Sequence, residues 1–132
     1  MKVLTLKQPF ASLVASGIKE YEFRKWNTNY RGEFLIHAGI GIDKVAMEKY
    51  KDYNLDYPEG CIICKVTLVD CVKVDNNLKK ILKEKNSYLY SNQINNKEDN
   101  TYAFILKDIK KIDPIYNVKG KLSFWEYDYK DK

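Results

Sequence analysis

A chain of 132 residues, 45% hydrophobic and 31% charged, has the size and composition of one globular domain that buries about two-thirds of its unfolded surface. No apolar run approaches the roughly 20 residues that span a bilayer, and residues 1–7 are too short and too polar for a secretory leader. The expectation is therefore a single domain over residues 1–132 in the cytoplasm, and not a membrane protein, a fibre, a disordered tail or a multidomain enzyme.

The elements follow from periodicity and punctuation. Residues 2–6 read as a first strand. Residues 8–17 read as a short helix, with Pro9 in its first turn, Gly17 at its end, and Phe10, Leu13 and Val14 on its buried face. Residues 18–26 form an expected strand, stopped at Asn27-Thr28-Asn29, and residues 32–38 another. Asp43 suits the cap of a helix reaching Tyr50. A loop at 54–60 precedes a long strand over 61–74. Leu78, Ile81 and Leu82 predict a helix over 76–85, and residues 91–100 read as a polar, Asn-rich surface loop. Alternation resumes over 102–112, and a last short strand or turn is placed at Lys119-Gly120-Lys121. Six or so strands with two or three helices predict a small, mainly β barrel or half-barrel with peripheral helices.

Charge needs care. The balance of 23 basic to 18 acidic side chains gives +5, which favours an anionic partner such as nucleic acid. Yet 21 of those bases are Lys, in a chain also rich in Asn, Ile and Tyr. These amino acids share AT-rich codons, and genome bias is the better account of the total. The two arginines are more pointed. Arg24 and Arg31 lie within eight residues of each other, which suggests sites needing a planar, forked donor.

Three cysteines, Cys61, Cys64 and Cys71, form an odd set that suits a reducing compartment. Cys61 and Cys64 have C-x-x-C spacing, but on a strand residues three apart face opposite ways. His37 is the single histidine. No metal site is expected, and the cysteines read as core residues. No phosphate-loop, dinucleotide, zinc-protease or nucleophile-elbow motif occurs, so no cofactor and no redox or nucleotide-hydrolysing chemistry is expected.

The informative stretch is Gly17-Ile18-Lys19-Glu20-Tyr21-Glu22-Phe23-Arg24-Lys25-Trp26. Strict alternation puts Tyr21 and Phe23 on one face, and Glu20, Glu22 and Arg24 on the other. Glu22 and Arg24 are then close enough to pair, or to line a groove together.

Gly17-x-Lys19-x-x-Glu22-x-Arg24 resembles the G-x-K-x-x-E-x-R signature of the ASCH domain, part of the PUA-like superfamily. Gln8-Pro9-Phe10-Ala11 resembles the opening of that family's first helix. Trp26, Tyr30-Arg31-Gly32 and Ile36-His37-Ala38 resemble its continuation. Lys119-Gly120-Lys121-Leu122-Ser123-Phe124-Trp125 is similar to its closing K-G-x-x-G-x-W, with Ser123 where Gly is usual. The resemblance implies a five- or six-stranded β-barrel with flanking helices and a cleft between the first helix and the motif strand. It implies RNA or a modified nucleoside as partner. Some bacterial members are small amidohydrolases acting on acetylcytidine, with a Thr at the position matched by Glu22, and ribonuclease activity is ascribed to others.

In that setting Lys19 would hold a phosphate, or act as nucleophile or base if desolvated. Glu22 would accept a hydrogen bond from a base's exocyclic amine or act as acid/base. Arg24 would clamp phosphate or orient Glu22, and Arg31 would add a second phosphate contact. Trp26 and Tyr30 are candidates to stack on a base. His37, Ser12 and Trp125 read as packing residues. Three functions follow: a binder of RNA or a modified nucleoside, an amidohydrolase using Lys19 and Glu22 on an acylated nucleoside, or a regulatory, protein-interaction module with a purely structural Glu22–Arg24 pair.

Overall fold

A computed structural model describes residues 1–94 and 100–130. In chain order they form β1 (Lys2–Gln8), α1 (Phe10–Ala15), β2 (Tyr21–Arg24), β3 (Gly32–Ile42), α2 (Lys44–Lys49), β4 (Cys61–Lys73), α3 (Asn76–Ile94), β5 (Tyr102–Ile115) and β6 (Phe124–Glu126), with a 3-10 turn at Lys51–Tyr53 after α2.

The strands make one six-stranded sheet in the order β2-β5-β4-β3-β1-β6. β1 and β3 run parallel; the other pairings are antiparallel. The six strands with flanking helices are as expected, but the barrel that the resemblance implied is corrected: the sheet is open, with β2 and β6 as its two edges. Both edges are too short to zip together. β2 offers four residues, all paired to β5, and β6 offers three, paired to Lys2, Val3 and Leu4 of β1. Aromatic side chains span part of the gap instead. Trp26, just past β2, meets Phe124 of β6 edge-on at 5.5 Å and Phe104 of β5 at 5.0 Å. Such contacts add about 0.5–1.5 kcal/mol each beyond the area they bury.

The main core lies on one face of the sheet. Leu4 and Leu6 from β1, Phe34 and Ile36 from β3, Val66 and Leu68 from β4, and Phe104 and Leu106 from β5 pack there with Ala11 and Val14 of α1. The period of two in each strand delivers these residues to the same side. Cys61 and Cys64 are buried, and Cys71 is half-buried against the same core. A second cluster joins Leu13, Tyr50, Leu82, Leu89 and Tyr90 beneath α3. A third, with Val3, Leu35, Ile62 and Trp125, covers the sheet's other face.

α1 is short because its start and stop are both enforced. Gln8 Oε1 accepts the Ser12 N–H at 3.0 Å, which satisfies a donor of the first turn that Pro9 has no side chain to reach. Gly17 then adopts φ +82°, a left-handed conformation that costs Gly little, and the chain turns out toward β2.

Several boundaries differ from expectation: β1, β3 and β5 run on to Gln8, Ile42 and Ile115, and α1 is trimmed to Phe10–Ala15. β2 is confined to Tyr21–Arg24, because the Lys19 N–H is still bonded to the Leu13 carbonyl of α1 at 3.0 Å and Trp26 turns in to the aromatic cluster. α3 runs on to Ile94, through an extended residue at Asn86. The Asn86 Oδ1 accepts the Leu89 N–H at 3.0 Å, restarting the helix as a cap does. The expected loop over 91–100 is thus helical to 94, and its positions 95–99 lie outside the described residues. The last strand is Phe124–Glu126, not Lys119–Lys121.

Candidate nucleic-acid interface

The open edge of the sheet creates the cleft. β6 covers β1 only as far as Leu4, so from Thr5 onward β1 has no strand on that side. β2 stands across the gap. Arg24 reaches over it, and its Nη2 donates to the Thr5 carbonyl at 2.8 Å. The hollow here, about 430 Å³, is walled by Thr5, Lys7, Phe10, Glu22, Arg24 and Lys121, among others. Hollows of about 300–1,000 Å³ accommodate small ligands.

Three of the sequence candidates meet at this wall. The Glu22 carboxylate lies between two cations: Oε1 accepts from Lys19 Nζ at 2.9 Å, and Oε2 lies 3.0 Å from Arg24 Nε. The second contact is electrostatic, since the buried Nε–H makes no aligned hydrogen bond. Glu22 is 8% exposed and Lys19 only 1%. Lys19 therefore sits behind the wall, with its ammonium on the Glu22 carboxylate and the Tyr21 carbonyl and over the Phe23 ring at 4.9 Å. It does not stand at a cleft mouth. Burial pushes its pKa below the usual lysine value, and Glu22 opposes that shift. With all three groups ionised the cluster carries one net positive charge, which favours an anion nearby.

The alternation that put Glu22 and Arg24 on one face holds. Tyr21 and Phe23 turn to the other side, edge-on to Tyr90 of α3 at 5.6 and 6.0 Å. Glu20 is exposed and faces Lys85 at 3.8 Å.

Arg31, Trp26 and Tyr30 do not join the cleft. Arg31 pairs with Asp70 at 3.1 Å and donates to the carbonyls of Thr28 and Tyr30. Trp26 is committed to Phe104 and Phe124. Tyr30 donates its hydroxyl to the Glu33 carbonyl and packs on Phe124 at 5.7 Å.

Sequence reading passed over a second arrangement beside the cleft. His37 Nε2 donates to the Val118 carbonyl at 2.6 Å. A carbonyl only accepts, so this fixes the proton on Nε2 and leaves Nδ1 to accept from Thr5 Oγ1 at 3.1 Å. Trp125 Nε1 donates to the same Thr5 oxygen at 3.0 Å. His37 is 1% exposed, and burial lowers its pKa. This network straps residues 118–120 across β1. The strap needs Gly120, where a Cβ would come within 2.9 Å of Thr5 Cγ2 and Oγ1 and 3.0 Å of His37 Cε1. Ser12 and Gln8 are likewise structural: Gln8 Nε2 donates to Ser12 Oγ and to the Pro58 carbonyl, both at 2.8 Å.

Among the described residues, no group of three or more His, Cys, Asp or Glu side chains could hold a metal ion. No described helix is long and apolar enough to cross a membrane.

Comparison with known proteins supplies the wider setting. The family model for the ASCH domain matches residues 4–116. Activating signal cointegrator 1 from Homo sapiens is 29% identical over 139 residues, which span 96% of this chain and 22% of that protein. The Mus musculus protein of the same name matches at 29% over 140 residues. The chain thus spans about a fifth of the length of these curated relatives, 22% in each case. The crystal structure of ASCH from Zymomonas mobilis superposes with a TM-score of 0.65 at 21% identity, covering 96% of this chain and 87% of that one. A point mutant of that Zymomonas mobilis protein gives a TM-score of 0.64 at 21% identity, with 96% and 90% covered.

Proposed function

This chain belongs to the ASCH domain family, and on that premise we propose that it binds single-stranded RNA, or a modified nucleoside within it, in the cleft between β1 and β2. The observation that carries the reading is the Glu22 carboxylate, held at the cleft wall between Lys19 and Arg24. Each carboxylate oxygen has a second lone pair beyond the one its cation uses. Those lone pairs suit the exocyclic amine of an unstacked base, in the way that acidic side chains accept from the cytosine amine. Lys19 positions the carboxylate from behind. Arg24 holds its other oxygen and, with Lys7 and Lys121 on the same wall, supplies positive charge for the phosphate.

Binding of a labelled single-stranded RNA across a salt series tests this. Log affinity falls with log salt by about 0.7 per phosphate neutralised, and Arg24→Gln weakens binding while Arg31→Ala does not. A flat salt response, or equal loss in both variants, contradicts the reading.

One observation favours a second reading. Lys19 is desolvated and its pKa is lowered, as in a lysine that serves as nucleophile or base, although the Glu22 carboxylate beside it opposes that shift. Against it, an ammonium only 1% exposed has no path to an acyl carbon without movement of β2. Release of cytidine from acetylcytidine by the purified chain, abolished by Lys19→Ala, supports the hydrolase. No turnover across a panel of acylated nucleosides removes it.

A further inference from the structure

The cleft does not end at Thr5. A second hollow of about 830 Å³ lies along the 116–122 strap, walled by His37, Glu59, Tyr116, Val118 and Lys119, among others. The two hollows share Thr5, Gly39, Ile40, Lys121 and Leu122 as a common border. Resting on the RNA-binding reading above, we infer that the site extends into this second hollow, so that the unit recognised is a strand of at least two nucleotides and not a free nucleoside.

Three features support this. The first is size. Each hollow alone falls in the range of about 300–1,000 Å³ that encloses one small ligand, so their union exceeds what one nucleoside fills.

The second is charge. Lys7 stands on the inner wall, Lys119 on the outer and Lys121 on both. None of the three pairs with a described carboxylate. Of the two acids present, Glu22 is taken up by Lys19 and Arg24, and Glu59, which accepts the Gly41 N–H at 2.9 Å, keeps its charge, so the three lysines outnumber it on the groove walls. A row of uncompensated ammonium groups along a groove is the electrostatic complement of a phosphate backbone.

The third is apolar surface. Leu122 and Ile40 are 93% and 89% exposed, the two most exposed large apolar side chains among the described residues, and Tyr116 is 59% exposed. All three border this groove. Isolated exposed apolar residues need no explanation, but three on one lysine-lined groove give faces against which a base or sugar can lie. Tyr116 offers an aromatic face in the outer hollow, and base–aromatic stacking is worth about 1–3 kcal/mol. In this arrangement Glu22 reads one base, Lys121 meets the phosphate that follows it, and Tyr116 with Lys119 holds the next nucleotide.

Tyr116 and Lys119 line the outer hollow and not the inner one, and both are exposed, so replacing both leaves the fold and the inner cleft intact. Calorimetric titration compares cytidine 5′-monophosphate with the dinucleotide and tetranucleotide of cytidylate, using the wild type, Tyr116→Ala/Lys119→Ala and Arg24→Gln. The expected result is that the dinucleotide binds at least tenfold tighter than the mononucleotide. The double variant removes that advantage and leaves mononucleotide affinity unchanged, whereas Arg24→Gln weakens both. Equal affinity for mono- and dinucleotide, or an unaltered dinucleotide advantage in the double variant, overturns the extension and leaves the inner site standing. No binding of any probe overturns both readings.

Discussion

Replacing Glu22 with Gln keeps the side chain's shape and one oxygen for Lys19, but removes the negative charge from between two cations. In the wild type that charge neutralises an ammonium that is 1% exposed, at 2.9 Å, and touches a guanidinium at 3.0 Å. Removing one partner of a buried pair costs about 3–5 kcal/mol, because the other charge is left behind in a poor solvent. The retained amide oxygen and the partial exposure of Arg24 place this case at the low end, about 3 kcal/mol. For a domain of this size each kcal/mol lowers the melting temperature by about 3–5 °C, so the expected drop is about 10 °C. Lys19→Met in the Glu22→Gln background then recovers most of the loss, since an apolar side chain has no charge to strand.

The pH dependence has a definite sign. A lysine whose folded pKa is lowered binds fewer protons in the folded than in the unfolded chain, so stability rises with pH through that window and is complete above about pH 10.5. Without Glu22 the opposing influence is gone, the folded pKa falls further, and the gap between variant and wild type narrows as pH rises from neutral. Urea unfolding of the wild type, single and double variants at neutral and alkaline pH measures all of this. A loss under about 1 kcal/mol in Glu22→Gln, or no rescue by Lys19→Met, refutes the idea of a tightly coupled buried cluster.

Other outcomes follow from neighbouring contacts. His37 is held neutral by burial, so stability is full above its unfolded pKa of about 6.5 and is lost as pH falls through the lowered folded value; His37→Gln flattens that slope in denaturant titrations. Gly120→Ala drives a methyl into Thr5 and His37 and costs about 1–3 kcal/mol as overpacking, seen as a lower melting temperature together with weaker RNA binding. Asn86→Ala removes the cap that restarts α3 and costs about 1 kcal/mol, with no change in RNA affinity.

The local, periodic parts of the structure were legible in the sequence. Pro9 and Gly17 bracketed α1, Asp43 capped α2 through the Ala46 N–H at 3.0 Å, and alternation placed Glu22 and Arg24 together on one face of β2. What the sequence hid depends on long-range geometry. Nothing local says that β6 pairs only as far as Leu4 of β1, which is why an expected barrel is an open sheet with a cleft in the gap. Lys19 read as a lysine that would hold a phosphate or, if desolvated, act as nucleophile or base, and nothing local shows that it is buried against Phe10, Phe23 and Glu22. Arg31 and Arg24 looked alike as scarce arginines. Only Arg24 reaches the cleft, because the turn before β3 hands Arg31 to Asp70 on β4. The second helical segment of α3 was masked by its polar residues, although Asn86 followed by Leu89 and Tyr90 was a cap-and-core signal that could have been read. The His37–Thr5–Trp125 network joins residues from β3, β1 and β6, and no spacing rule connects them.

Backbone amide chemical shifts followed during titration with a short single-stranded RNA test the central claim most directly, because they report position as well as affinity. The account predicts the largest changes at residues 5–7, 22–24 and 118–123, with Arg31 and Asp70 unmoved. Changes centred on Arg31, on Asp70 or on the outer face of α3, or no saturable change at all, contradict it.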